Sequence, residues 1–115
     1  MAVDNQLLLI LKSAGLGGGE PDLGEKLMEA FLNNLFESGK IPGKIIFMNT
    51  GIFLTTQGSS FIEIVKKYEE EGSEILTCGT CLNYYDRQDR LLVGKPTNMK
   101  DTVNAMLNLK KVLIP

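Results

Sequence analysis

Apolar and polar residues alternate along this chain in two patterns with different periods. Short, almost entirely apolar runs are typical of strands that are buried on both faces of a sheet. They predict strands at residues 6–11, 44–49, 73–77, 91–93 and 110–114. Between most of these runs, apolar residues recur three or four positions apart, which is typical of helices that bury one face. The alternation predicts βαβ units and therefore an α/β fold around a parallel sheet.

The predicted helices carry recognisable start signals and apolar faces. Pro21 opens the first helix, and a short helix is expected at residues 82–85. Capping pairs, in which a side-chain acceptor precedes an acidic residue by three positions, are Asp22 with Glu25, Ser60 with Glu63, and Asn98 with Asp101. The apolar faces comprise Leu23, Leu27, Ala30, Phe31 and Leu35 in the first helix, Phe61, Ile64, Val65 and Tyr68 in the second, and Met99, Val103, Met106 and Leu107 in the last. We expect the faces of the first two helices to be buried.

Size and charge restrict the classes of function. With 115 residues, the chain is expected to form one domain over residues 1–115. A net charge of −2, from 12 basic and 14 acidic side chains, gives no reason to expect nucleic acid or an anionic membrane as a partner. The longest apolar run, residues 7–11, is too short to span a bilayer, and Asp4 stands where a signal peptide would be basic. We therefore expect a cytoplasmic protein.

The only two cysteines, Cys78 and Cys81, lie in the stretch "LTCGTC" at the end of the predicted third strand. In the cytoplasm such a C-x-x-C pair is more often redox-active, sulfur-handling or metal-binding than a structural disulfide. A thiolate is the reactive form of cysteine, and the amides at a helix N-terminus favour it. Gly79 and Thr80 are small and leave the sulfurs open to a partner. Since histidine is absent, chemistry at this site depends on the thiols themselves.

Two further loops are expected at the same edge of the sheet, because parallel strands end together there. They are "SAGLGGG", with Gly15 and Gly17, and "NTG", with Asn49, Thr50 and Gly51. All three loops are expected to converge on the cysteines. The candidate substrate-binding residues are accordingly Gly15, Gly17, Asn49, Thr50, Gly51, Gly79 and Thr80.

Other interpretations of the cysteine motif and the glycine-rich loop stay open. The cysteines can be small buried apolar residues. A zinc site is disfavoured, because structural zinc takes four ligands and the chain offers only these two thiols. A thioredoxin-like dithiol is a closer rival, although that motif follows the first strand of its fold. Nucleotide binding is disfavoured, because Glu20 breaks the G-x-G-x-x-G spacing. Neither a metal nor a cofactor is expected.

Four segments, taken in order, resemble the DsrE-like sulfur-relay family, and within it the carboxyl-terminal domain of YedF-type proteins associated with selenium metabolism. They are "GEKLMEAFLNNLFE", "IIFMNTGIFLTTQGS", "EILTCGTCLNYY" and "VGKPTNM". The resemblance implies a three-layer α/β/α fold whose five parallel strands lie in the order 4-3-2-1-5. It also implies a trimer or related homo-oligomer. The persulfide-bearing cysteine of the family follows the third strand, which matches Cys78, and Cys81 is the extra thiol of the YedF-like branch.

The leading hypothesis is therefore a sulfur or selenium relay in which Cys78 takes a sulfane sulfur from a donor protein and passes it to an acceptor thiol. YedF-type proteins usually carry a TusA-like domain, so a TusA-like protein is a candidate partner. A non-catalytic oligomeric binding module and a dithiol oxidoreductase are the alternatives.

Overall fold

Strands and helices alternate through residues 2–115, the part of the chain that the computed structural model describes. A 3-10 helix at Asn49–Leu54 lies between the second strand and the second α-helix. The strands are β1 Ala2–Leu11, β2 Lys40–Phe47, β3 Glu74–Cys78, β4 Lys95–Thr97 and β5 Lys111–Leu113. The α-helices are α1 Pro21–Glu37, α2 Ile62–Glu70, α3 Gly79–Tyr84 and α4 Met99–Asn108.

The five strands form one sheet in the order β4-β3-β2-β1-β5, and all four neighbouring pairs are parallel. This confirms the predicted α/β class and strand order. Since parallel strands all end at one edge, the ends of β1, β2 and β3 bring their following segments to the same side of the molecule.

Alternate residues of the central strands are buried on opposite faces of the sheet. Leu9 and Leu11 of β1 belong to a core that includes Met28 of α1 and Tyr68 of α2. On the other face, Leu8 and Ile10 pack in a second core with Ile46, Leu76 and Ala105, the last of these from α4. Burial on both faces explains why the strand sequences are apolar throughout instead of alternating with polar residues.

Strand boundaries differ from the sequence predictions at several places. β1 begins at Ala2, four positions before residue 6, and β2 begins at Lys40 and ends at Phe47. The strand predicted at residues 91–93 is wrong: Leu91 forms only an isolated antiparallel bridge with Thr56, and β4 lies at Lys95–Thr97. Gly94 separates the two segments with a φ of 71°, and a Cβ there would collide with the Ile75 carbonyl oxygen. The chain therefore joins the sheet only after this glycine.

The buried face of α1 is rotated relative to the predicted one. Leu23 and Leu27 are 52% and 45% exposed, whereas Gly24, Met28 and Leu32 are buried. Gly24 turns inward because the preceding loop packs on it, with the Leu16 amide donating to the Gly24 carbonyl oxygen at 3.0 Å. A side chain at this position would occupy the space that the loop takes.

Only one of the three predicted capping pairs forms. The side chain of Asn98 accepts a hydrogen bond from the Asp101 amide at 2.8 Å and begins α4. α1 instead follows Glu20 and α2 follows Phe61, and neither residue makes a side-chain capping bond. Pro21 opens α1 as predicted, since proline at the first helical position removes one of the amides that a cap would satisfy.

The shared apolar face of α4 is directed outward. Met99, Val103, Met106 and Leu107, together called the α4 stripe, are 58%, 42%, 41% and 76% exposed. The small residues Thr102 and Ala105 face the sheet instead. Within residues 2–115, no helix has the length and apolar character needed to cross a membrane.

Candidate active site: the cysteine pair

Cys78 and Cys81, together called the thiol pair, lie where β3 passes into α3. Cys78 is the last residue of β3, pairs with Thr97 of β4 and immediately precedes α3. Cys81 lies in the first turn of α3, three positions on, so its side chain is on the same side of the helix start. Cys78 is 8% exposed, Cys81 is half-buried, and both are free thiols. The pair is therefore close to the surface without being fully open to water.

A hydrogen bond joins the thiol pair to the 3-10 helix. The Asn49 amide donates to the Cys81 sulfur at 3.1 Å, and the Cys78 thiol is near enough to Cys81 to affect its pKa. Asn49 has a φ of 53°, in the left-handed region that asparagine tolerates better than most residues. This backbone turn begins the 3-10 helix and directs the amide toward the sulfur.

The two thiols have different environments. Burial raises the pKa of the Cys81 thiol; the neighbouring Cys78 thiol raises it further, and the Asn49 amide opposes both effects. Cys81 thus keeps its proton at neutral pH.

The amide at the thiol pair comes from a different element than the sequence indicated. α3 was expected to direct its N-terminal amides toward the sulfurs, but it has only six residues and Cys78 makes no capping bond to it. The amide comes from Asn49, 32 positions earlier. This contact depends on the packing of the 3-10 helix against α3 and so leaves no local signal in the sequence around the cysteines.

Two contacts hold the 3-10 helix in place. A Cβ at Gly51 would collide with the Leu11 carbonyl oxygen, so only glycine permits this approach to the end of β1. The fully buried hydroxyls of Thr55 and Thr77 lie 2.9 Å apart and join the end of the 3-10 helix to β3. Thr77 directly precedes Cys78, so this hydroxyl bridge fixes the 3-10 helix relative to the thiol pair.

An aromatic cluster borders α3. The ring of Tyr85 lies 4.9 Å from that of Phe53 and 5.0 Å from that of Tyr84. The Arg87 guanidinium lies over the Phe53 ring, 4.6 Å from its centre, and also donates to Thr56 at 3.1 Å. Tyr84 is 81% exposed, so an aromatic side chain is presented to solvent close to the thiol pair in the chain.

The glycine-rich loop lines a separate groove. Its volume is about 600 Å³, and its lining includes Gly15, Gly17 and Thr50, together with Glu25 and Ser60, but neither cysteine. The Ala14 amide donates to the Thr50 hydroxyl at 3.3 Å. The 3-10 helix therefore contacts the glycine-rich loop through Thr50 and the thiol pair through Asn49.

The candidate residues thus divide into three groups. Asn49, Gly79 and Thr80 accompany the thiol pair, Gly15, Gly17 and Thr50 line the groove, and Gly51 is buried against β1. Among residues 2–115, no three His, Cys, Asp or Glu side chains are grouped so as to hold a metal ion.

Comparison with solved structures identifies proteins of the same fold. The chain is similar to the ychN protein from E. coli, with a TM-score of 0.70 and 13% identity over 96% of this chain and 99% of that one. It is also similar to the protein of unknown function MTH1491 from Methanobacterium thermoautotrophicum, with a TM-score of 0.73 and 13% identity over 97% and 100% of the two chains. No protein-family model and no curated protein sequence matches the chain. The similarity supports the expected DsrE-like fold.

Proposed function

We propose that this chain is a relay protein for sulfur or selenium and that Cys78 carries the transferred atom as a persulfide or its selenium analogue. The DsrE-like fold is consistent with a sulfur relay. The observation that carries the proposal is the position of Cys78 at the end of β3, three residues before a second thiol whose sulfur accepts a hydrogen bond from the Asn49 amide.

Transfer to the protein takes place by thiol exchange chemistry. The Cys78 thiolate attacks the outer sulfur of a donor persulfide, a new S–S bond forms, and the donor's own S–S bond breaks. The donor leaves as a thiolate and takes up a proton from water. An acceptor thiolate then attacks the outer sulfur on Cys78, which leaves as the thiolate. Neither step requires a histidine or a change in net oxidation state.

Cys81 assists this exchange as a neighbouring thiol that can donate its proton. Because its pKa is raised, Cys81 remains a thiol and can donate to the Cys78 sulfur both before attack and when that sulfur leaves. The Asn49 amide donates to the Cys81 sulfur and polarises the Cys81 S–H bond, so that the Cys81 hydrogen becomes a better hydrogen-bond donor. Cooperative donors of this kind stabilise a thiolate without placing a formal positive charge beside it.

The location of Cys78 suits exchange with other proteins. Its side chain is 8% exposed, and an added outer sulfur would extend the side chain beyond the thiol. Gly79 and the exposed Thr80 follow it and present little bulk. The proposed partners are therefore protein thiols or persulfides that contact this edge of the sheet in the cytoplasm, with a TusA-like protein as one candidate.

The exposed α4 stripe supports the proposed homo-oligomer. Four large apolar side chains on one helix face are exposed by 41–76%, and such patches often mark protein interfaces. α4 begins two positions after Thr97, which pairs with Cys78, so an interface here would approach the thiol pair. A trimer or related assembly built through α4 is our proposal for the oligomer.

Persulfide loading tests the function directly. The reduced protein is incubated with a low-molecular-weight persulfide, and the intact mass is measured with and without subsequent reduction. We expect one added sulfur, removable by reductant, on wild type and on Cys81→Ser, and none on Cys78→Ser. An unmodified wild type, or equal addition on Cys78→Ser, would show that the assignment is wrong.

A dithiol oxidoreductase is the second candidate, and the C-x-x-C spacing of two free thiols at the start of α3 favours it. It predicts a reversible intramolecular disulfide, whereas the relay requires Cys81 only as a hydrogen-bond donor. A titration in glutathione buffers, read by thiol labelling, separates the two. A disulfide formed at ordinary cellular potentials supports the oxidoreductase.

A further inference from the structure

We infer that the thiol pair is also a binding site for a single monovalent thiophilic cation, Cu(I) or Ag(I), which is held between the Cys78 and Cys81 sulfurs of one chain. This binding does not require persulfide chemistry and concerns a different ligand. It follows from the number of ligands, their placement in the fold, and the charge of the resulting site.

The ligand set selects the type of cation. Thiolate sulfur is a soft ligand and prefers Cu(I) and related ions to hard cations such as Mg²⁺ or Ca²⁺. Zinc requires four ligands in structural sites, and residues 2–115 contain no cluster of three potential ligands. The whole sequence lacks histidine. Two sulfurs alone satisfy only an ion that accepts two-coordinate, nearly linear geometry, which is characteristic of Cu(I) and Ag(I).

The fold brings both ligands together before any cation binds. Cys78 is held by pairing with Thr97, and Cys81 lies in the first turn of α3, where its sulfur accepts from the Asn49 amide at 3.1 Å. A cation would therefore bind between two sulfurs whose positions are set by β3 and α3. Little ordering is required on binding, which favours affinity.

An amide donor beside the thiol pair also stabilises the negative charge of the cation complex. Binding exchanges two thiol protons for one cation, so that two R–SH and Cu⁺ give a bis-thiolate complex of charge −1 and two H⁺, with no electron transfer. The Asn49 amide donates to the Cys81 sulfur atom itself, so this bond persists when the thiol proton is replaced by the cation. An amide donor of this type orients a metal-bound thiolate and stabilises its negative charge.

Occupation of the site would prevent persulfide formation, because both sulfurs are committed to the cation. A thiophilic cation would therefore act as a reversible inhibitor of the proposed relay. The cation's release requires protonation of the thiols or capture by a stronger thiolate ligand.

The test is a competition for Cu(I) with the chromophoric chelator bicinchoninate, performed anaerobically on the reduced protein. We expect wild type to remove one Cu(I) per chain from the chelator complex. Cys78→Ser and Cys81→Ser should each abolish this uptake. Met99→Leu, which removes an exposed thioether on the neighbouring helix, should leave it unchanged. Circular dichroism confirms that each variant is folded.

X-ray absorption at the copper edge gives a second measurement that does not depend on the variants. Two sulfur neighbours, without nitrogen or oxygen, are expected for the loaded wild-type protein. No uptake by wild type, uptake equal to that of either serine variant, or one ion for every two chains would each overturn the inference. If the protein fails to take up a persulfide sulfur but still binds Cu(I) as described, only the proposed relay is refuted and the cation site stands.

Discussion

The Thr55–Thr77 hydroxyl bridge provides a sharp test of how the 3-10 helix is held beside the thiol pair. Both residues are fully buried, and their hydroxyls lie 2.9 Å apart. The Thr55 hydroxyl also donates to the Ile52 carbonyl oxygen at 3.2 Å, so its single hydrogen is used there. Thr77 is therefore the donor in the bridge, and Thr55→Val removes its acceptor.

The expected cost follows from this assignment. A buried donor left without an acceptor costs about 1–3 kcal/mol. For a chain of 115 residues, an unfolding entropy of about 2.1 cal/mol/K per residue converts each kcal/mol into a shift of about 4 °C. We expect Thr55→Val to lower the Tm by about 4–12 °C. Thr77→Val should cost less, because Thr55 keeps its bond to Ile52.

The double variant separates the bridge from the packing of each methyl group. Once both hydroxyls are gone, the two valines can pack without an unpaired polar atom, so the double variant should be more stable than the sum of the single losses predicts. Denaturant unfolding at one fixed protein concentration measures the free energies of unfolding of the wild type, the two single variants and the double variant. Additive losses, or a loss below about 0.5 kcal/mol for Thr55→Val, would refute the reasoning.

Alkylation kinetics connect the bridge to the site. Loosening the 3-10 helix weakens the Asn49 contact to the Cys81 sulfur, so the pH dependence of Cys81 alkylation should change in Thr55→Val. Thr56→Val is the matched control, because its hydroxyl bonds to Ile52 and Arg87 and not to β3. An identical change in both variants would assign the effect to general destabilisation.

Two further predictions concern other parts of the molecule. Burial raises the pKa of Tyr68, whose hydroxyl donates to the Leu32 carbonyl oxygen at 2.6 Å. As the pH rises, the unfolded chain therefore loses the Tyr68 proton before the folded protein does. The free energy of unfolding should then fall as the pH rises beyond the ordinary tyrosine pKa of 10.0. Tyr68→Phe should lose about 1 kcal/mol at neutral pH but show a shallower alkaline decline, measured by urea unfolding at each pH; an unchanged slope would contradict the assignment. Val103→Asp and Leu107→Asp introduce charge into the α4 stripe. They should lower the sedimentation coefficient of the native protein without loss of helix content. A wild type that already sediments as a monomer would contradict the proposed oligomer.

The sequence was sufficient for features that depend on neighbouring residues. Residues 7–11 had to be a strand buried on both faces, because five consecutive apolar side chains of a strand alternate between two sides of a sheet. The position of Cys78 at the end of β3 follows from the same local patterns. Of the three pairs with the same local spacing, only the Asn98–Asp101 cap formed, so this spacing alone did not decide where a helix begins. The strand order was expected only through the family resemblance.

Features that depend on packing between elements were decided by the tertiary structure. α1 presents Met28 instead of Leu27 to the core because the glycine-rich loop contacts Gly24. The α4 stripe faces outward because smaller residues allow α4 to approach the sheet. At the site, the donor to the Cys81 sulfur is Asn49, a residue that only the packing of the 3-10 helix brings near. Runs of consecutive apolar residues can be read along the chain as buried strands, whereas contacts between distant segments depend on how completed elements fill the space between them.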